Sequence, residues 1–177
     1  MLKNVWVFVL CLGIAYPLAA LADDSLVKFK GGIGVVPVSS AAGAANADGT
    51  SPNVNRNVVR GVNPPGQIWV IAGLRADIKA DGRVKVRGKG LLLGGGNGIG
   101  SNGGQSVHAT LICEATAPFT LHDTNPAGVA LEANGDFRID DILSPGPPYT
   151  CVSPVLLIRN TAGVWFAAGI PDLGNDD

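Results

Sequence analysis

The chain has 177 residues, 46% apolar and only 15% charged, with 13 Lys and Arg against 14 Asp and Glu, 25 Gly and 12 Pro. Low charge and short apolar runs broken by Gly and Pro suit an all-β exported domain. Beyond the N-terminus no stretch has helical length and period, which argues against a helical architecture, and the chain is long enough for one core but short for two.

The N-terminus reads as a secretory signal peptide over 1–22. Lys3 is followed by the apolar run VWVFVLCLGIAYPLAALA, and Ala20-Leu21-Ala22 then places small residues where a signal peptidase reads. The run is short for a membrane span and Pro17 interrupts it, so no transmembrane segment is expected in the mature chain. Cys11 follows Leu10, where a lipidation site needs a small residue. Cleavage after Ala22 leaves two cysteines, Cys113 and Cys151. In a secreted or periplasmic protein an even count reads as one disulfide. The loop it would close, about 39 residues, corresponds to roughly 4 kcal/mol of chain entropy. Export also disfavours cytosolic cofactor chemistry, and no cofactor is expected.

Residues 23–66 read as an N-terminal arm. Leu26 to Val38 is expected to be an edge strand, interrupted at Gly31-Gly32 and limited by Pro37. Ser39 to Asn53 is a small-residue polar loop, Val54 to Val62 a second short strand, and Asn63-Pro64-Pro65-Gly66 a turn and boundary. Residues 67–170 read as the β core. Ile68, Val70, Ala72, Leu74, Ala76 and Ile78 alternate with Trp69, Ile71, Gly73, Arg75, Asp77 and Lys79, which predicts one long strand with a single apolar face.

Register decides the turn that follows. A two-residue Asp81-Gly82 turn would oppose Ile78 to Lys85 and mix core with solvent on one face. A three-residue loop, Ala80-Asp81-Gly82, pairs Ile78 with Val84, Ala76 with Val86 and Asp77 with Lys85, and Gly82 supplies the left-handed residue it needs. The same device at Ala133-Asn134-Gly135 predicts a second hairpin that pairs Leu131 with Phe137 and Val129 with Ile139.

Gly88 to Gln105 is a glycine-rich connector. A strand begins at Ser106, with Val107, Ala109, Leu111 and Cys113 on one face and His108, Thr110, Ile112 and Glu114 on the other. Phe119 to Asn125 is a short edge segment, and Pro145, Pro147 and Pro148 stiffen the approach to Cys151. Val155 to Arg159 and Val164 to Gly169 are apolar on both faces and should be central, with residues 171–177 a frayed tail. Eight or nine short strands and one bridge predict an antiparallel sandwich or, alternatively, a partly open barrel. No Trp lies between Cys113 and Cys151, so an immunoglobulin domain is not specifically indicated.

Several constellations bear on chemistry. Gly98-Ile99-Gly100-Ser101-Asn102-Gly103 matches the dinucleotide fingerprint in form, but a strand follows it where a helix N-terminus is required. The residues Gly94 to Gly104 contain no carboxylate for calcium. Ser106 and His108 share a strand face, and a secreted hydrolase using them is the alternative function, although the context is not that of a nucleophile elbow. His108, His122, Asp123 and Glu114 lack metal-ligand spacing, and no metal is expected. Asp140 and Asp141 point to opposite faces, whereas Asp136, Arg138 and Asp140 share one as a solvated charge row. Trp69, Trp165, Tyr149 and Phe166 could line a sugar platform. Trp69 is the better exposed candidate, and Trp165 reads as core.

Charge is uneven along the chain. Arg75, Lys79, Arg83, Lys85, Arg87 and Lys89 face only Asp77 and Asp81, giving the first hairpin +4, while the chain from Glu114 onward carries −7. A basic face of this kind can bind an anionic glycan or surface component, or serve assembly through charge-complementary faces; without interleaved aromatics, nucleic acid is not expected.

The runs NPPGQIWVIAGLRADIKADG, LLLGGGNGIG, VHATLIC, ANGDFRIDDIL and CVSPVLLIRN together resemble a group of small secreted bacterial β-rich proteins with no assigned activity. The resemblance covers most of the mature chain. It implies an exported, single-domain β protein and carries no catalytic or binding residue. The expected function is that of an exported non-catalytic β-domain that binds or associates with a surface.

Overall fold

A computed structural model describes residues 24–40, 46–49 and 54–174. The expected signal peptide, residues 41–45 and 50–53 of the expected loop, and the last three residues of the tail lie outside the described residues.

The fold is all-β, with no helix among the described residues. In chain order the strands are β1 (Ser25–Gly34), β2 (Val38–Ser40), β3 (Val54–Arg56), β4 (Trp69–Val70), β5 (Gly73–Lys79), β6 (Arg83–Lys89) and β7 (Leu92–Leu93). They continue as β8 (Ser106–Ile112), β9 (His122–Asp123), β10 (Val129–Ala130), β11 (Phe137–Ile142), β12 (Val155–Asn160) and β13 (Trp165–Pro171). Nine strands form one antiparallel sheet in the order β10-β8-β12-β13-β1-β5-β6-β11, with β9 also on β8; β2-β3 and β4-β7 are separate short pairs.

The sheet curls into a half-barrel, an arrangement consistent with either the sandwich or the partly open barrel expected. Its margins meet where Asp123 of β9 and Ser144, just past β11, exchange both backbone hydrogen bonds. The concave face is filled by Leu74, Ala76, Ile78, Val84, Val86, Phe137 and Ile139 from one half of the sheet. Val107, Ala109, Leu111, Leu156 and Ile158 fill it from the other, and all are buried. Cys113 and Cys151 form the expected disulfide. Arg60 reinforces that junction by donating to the carbonyls of Ile112 and Ser153.

The first hairpin forms in the expected register. Ile78 pairs with Val84, Asp77 with Lys85 and Ala76 with Val86, and Gly82 takes φ +89°. The second does not form as expected. Its tight turn exists, with Gly135 N–H donating to Glu132 O and Glu132 N–H to Asp136 O. The chains then part: Val129 pairs with Val107 of β8, whereas Phe137 pairs with Gly88 of β6. Leu131 N–H goes to Gln105 O, and the Asp136 carboxylate accepts from Gly90 N–H, so each arm finds another partner. A local turn signal does not fix which strands its arms then pair with.

Three other expectations are corrected. β1 is central, between β13 and β5, and Gly31-Gly32 is a bulge within it rather than a break. The long strand over 68–79 is cut into β4 and β5, because β4 leaves the sheet to pair with β7 inside the glycine-rich connector. Ile68, Val70 and Ala72 therefore face outward, and Trp69, expected to be exposed, is buried and stacked on Phe166 at 4.0 Å between ring centroids. The expected frayed tail begins inside the sheet, since Pro171 belongs to β13 and Asp172 N–H donates to Lys28 O. The rest of the arm is also tied down: Val35 and Val62 are buried, and Trp165 donates its indole N–H to Asn57 O.

Candidate anion-binding face

Alternation along β5 and β6 sends Val84 and Val86 inward and Arg83, Lys85, Arg87 and Lys89 outward. The six cations predicted to form one face do lie on the outer surface of one hairpin, and the structure divides them. Lys79 is 2.8 Å from Asp24 and 3.2 Å from Asp77, and Arg83 is 3.2 Å from Asp24 and 2.7 Å from Asp81. The hydrogen bond to Lys79 draws the Asp24 carboxyl below its ordinary range, and hydrogen bonds from the Arg83 backbone and guanidinium do the same to Asp81. Lys79 is raised in return, chiefly by its hydrogen bond to Asp24. These two cations are largely neutralised by neighbours.

Pairing of β1, β5, β6 and β11 assembles the outer face into transverse rows, one residue from each strand. One row reads Lys28, Asp77, Lys85, Asp140, with signs alternating across the sheet, and Lys85 lies 3.9 Å from Asp140. The next outward-facing row reads Lys30, Arg75, Arg87, Arg138: four cations on four neighbouring strands. Among the described residues the side chains of Arg75, Arg87 and Arg138 make no hydrogen bond or ion pair. Like charges directly opposite across a ladder are destabilising, and the alternating row shows that this sheet can avoid them.

The Arg75–Arg87 pair forms a ridge with a hollow on each side. One, of about 400 Å³, is lined by Lys28, Lys30, Arg75, Lys85 and Arg87, with Asp77 and Asp172 also on its wall. The other, of about 390 Å³, lies between Gly31, Gly73, Leu74, Arg75, Arg87 and Lys89. Lys30 and Arg138 were missing from the face read in the sequence. In the sequence β1 reads as an edge strand and β11 as the partner of β10, which places neither beside the basic hairpin.

The other candidate residues lie elsewhere. His108 is buried on β8. Its Nε2 is 3.9 Å from Asp123 Oδ1, its Nδ1 has no partner, and burial together with the nearby Arg159 guanidinium holds its pKa below the ordinary imidazole value. Asp123 is occupied by Thr110, which donates a 2.5 Å hydrogen bond, and by Arg159 at 3.1 Å. Ser106 makes no hydrogen bond to His108, whose Nδ1 is without a partner. His122 is buried with Nδ1 2.9 Å from Pro145 O. Glu114 accepts from Thr120 N–H, and backbone N–H groups, its own foremost, hold its carboxyl below the ordinary range. Among the described residues no three His, Cys, Asp or Glu side chains gather as a metal site would need, and no helix is long and apolar enough to cross a membrane. The aromatic platform is not assembled either. Trp69, Trp165 and Phe166 are buried, while Tyr149 is exposed on the proline-rich loop.

The class these features define is an all-β, disulfide-linked domain with a cationic outer face. No protein-family model, curated protein or solved structure matches the chain.

Proposed function

We propose that the protein is an exported, non-catalytic binding domain that takes an anionic surface component or glycan on the outer face of β1, β5, β6 and β11. The row Lys30, Arg75, Arg87, Arg138 carries this reading. Arginine offers a planar fork of donors suited to carboxylate, sulfate and phosphate, and three such groups stand together with no internal acid to satisfy them. The disulfide is compatible with export to an oxidising compartment, as is the leader read over 1–22.

The test is binding of the mature protein to anionic and neutral glycans and vesicles at low and high salt. Wild-type protein is expected to retain the anionic set alone and to release it as salt rises. The Arg75→Gln/Arg87→Gln double variant should lose most of that binding while keeping its circular dichroism. Equal retention of neutral and anionic surfaces would defeat the proposal. N-terminal sequencing of exported material should begin at Asp23.

A further inference from the structure

We infer that the protein seats on an anionic lipid membrane through the end of the β5–β6 hairpin that lies away from its turn. The hollow beside Arg75, Arg87 and Lys89 takes a lipid phosphate, and Ile33, Ile68, Val70 and Ile170 enter the acyl margin. The inference rests on the anion-binding reading above and names the surface component.

The hairpin is polarised along its length. Next to the turn, Asp24, Asp77 and Asp81 hold Lys79 and Arg83. At the far end Gly73 pairs with Lys89 and Arg75 with Arg87. The hollow there, of about 390 Å³, is lined by Gly31, Gly73, Leu74, Arg75, Arg87 and Lys89, with no carboxylate on its wall. Asp77 and Asp172 line the other hollow. The side chains of Arg75, Arg87 and Lys89 make no hydrogen bond or ion pair with a described residue. The space over Gly73 is open, since a Cβ there would meet nothing within 4 Å.

Beyond the hollow the outer face turns aliphatic. A Cβ on Gly31 would stand 3.1 Å from Ile170 Cδ1, so Ile170 borders the hollow on its β1 side. Ile33 pairs with Ala168, which puts it diagonally across the β1–β13 ladder from Ile170. The chain then runs against β4, where a Cβ on Gly34 would stand 2.7 Å from Val70 Cα, and Val70 and Ile68 lie side by side over Gly94. These four aliphatic side chains are between 41% and 58% exposed. A run of exposed aliphatic groups beside unpaired cations marks an interaction site.

The combination selects the partner. Arginine forks fit phosphate, and each basic side chain near an anionic leaflet is worth about fivefold in partitioning. Aliphatic side chains gain by leaving water for the acyl boundary. A soluble acidic glycan would engage the cations and leave the aliphatic groups in water. Protein interfaces favour aromatic side chains at their centre, whereas Trp69, between Ile68 and Val70, turns into the core.

The experiment is co-sedimentation of the mature protein with vesicles of phosphatidylcholine, with and without phosphatidylglycerol, and a soluble sulfated oligosaccharide as a parallel ligand. Binding should require phosphatidylglycerol, and part of it should persist at high salt, because salt screens the cations and not the aliphatic contact. Arg87→Gln should weaken vesicle binding about fivefold, and Lys85→Gln, on the other hollow and beside Asp140, far less. Ile33→Ser/Ile170→Ser should weaken it about tenfold and abolish the salt-resistant part. The same variant should hold the oligosaccharide as tightly as wild type, which also shows that it is folded. Val70→Ser, on β4 outside the main sheet, should move vesicle binding in the same direction. Serine variants that bind vesicles as tightly as wild type would overturn the inference, as would equal effects of Lys85→Gln and Arg87→Gln. So would a protein that holds the oligosaccharide and ignores every vesicle. In these three cases the anion-binding reading survives. Loss of all anion binding at low salt removes both.

Discussion

Replacing Gly88 with Ala tests the contact that sets the register of the cationic row. Gly88 and Phe137 are directly paired across β6 and β11, and the same register brings Arg138 opposite Arg87. A Cβ at position 88 would stand 2.0 Å from Phe137 Cε1 and 2.2 Å from Cζ. Carbon atoms in contact prefer about 3.5–4.0 Å, so the ring must retreat by roughly 1.5 Å. Phe137 is 2% exposed and has no open space to retreat into. Overpacking of this kind costs about 1–3 kcal/mol, and the lower chain entropy of unfolded Ala returns about 0.4–1 kcal/mol. The net loss is then roughly 1–2 kcal/mol, or a fall in Tm of about 2–8 °C for a chain of this size. Urea and thermal unfolding followed by circular dichroism give both values. Phe137→Leu should cost stability alone but much less in the Gly88→Ala background, because it removes the clashing ring; Gly88→Ala should also weaken polyanion binding. A Gly88→Ala protein as stable as wild type, or the two substitutions adding without coupling, would refute the packing argument.

Three further outcomes are expected. Arg87→Gln relieves repulsion from both Arg75 and Arg138 in the free protein, so it should raise Tm at low salt and lose that advantage at high salt. No change at low salt would mean the row carries no strain. His108 titrates below the ordinary imidazole value of 6.5 because it is buried and Arg159 is near, so the unfolded chain takes up its proton first as pH falls. The stability it contributes is full above pH 6.5 and is lost as pH falls toward its folded value. His108→Gln should flatten that part of the urea-derived profile, and the window lies above that of the depressed carboxyls Asp24, Asp81 and Glu114. Reducing the disulfide, or replacing Cys113 and Cys151 with Ser, should cost about 2–5 kcal/mol by denaturant unfolding.

What could be read from the sequence was mostly local. The Ala80-Asp81-Gly82 hairpin follows from alternation and one left-handed glycine, because both arms carry a clear inward and outward face. The cysteine pair follows from count and compartment. The misreadings all concern which strands lie side by side. Gly31-Gly32 looks like an ending until Ala168 and Gly169 of β13 are seen opposite Ile33 and Gly32. Trp69 is on the polar side of a strand that is taken as continuous, and it becomes core once β4 breaks away. The candidate site shared that limit. Two of the row's four members, Arg75 and Arg87, were visible as part of a basic hairpin, but Lys30 and Arg138 are brought there by pairings that no local pattern encodes.

The first strand and the last lie side by side in the middle of the sheet. β1-β5-β6-β11 make one half and β10-β8-β12-β13 the other, so the two halves join at their centre only once β13 is in place. Most of its pairings bridge distant parts of the chain, a wiring associated with slow folding. Sealing that seam is therefore the last step in completing the sheet, and until it happens one edge of β1 keeps its backbone groups unpaired, open to any other strand that reaches it first.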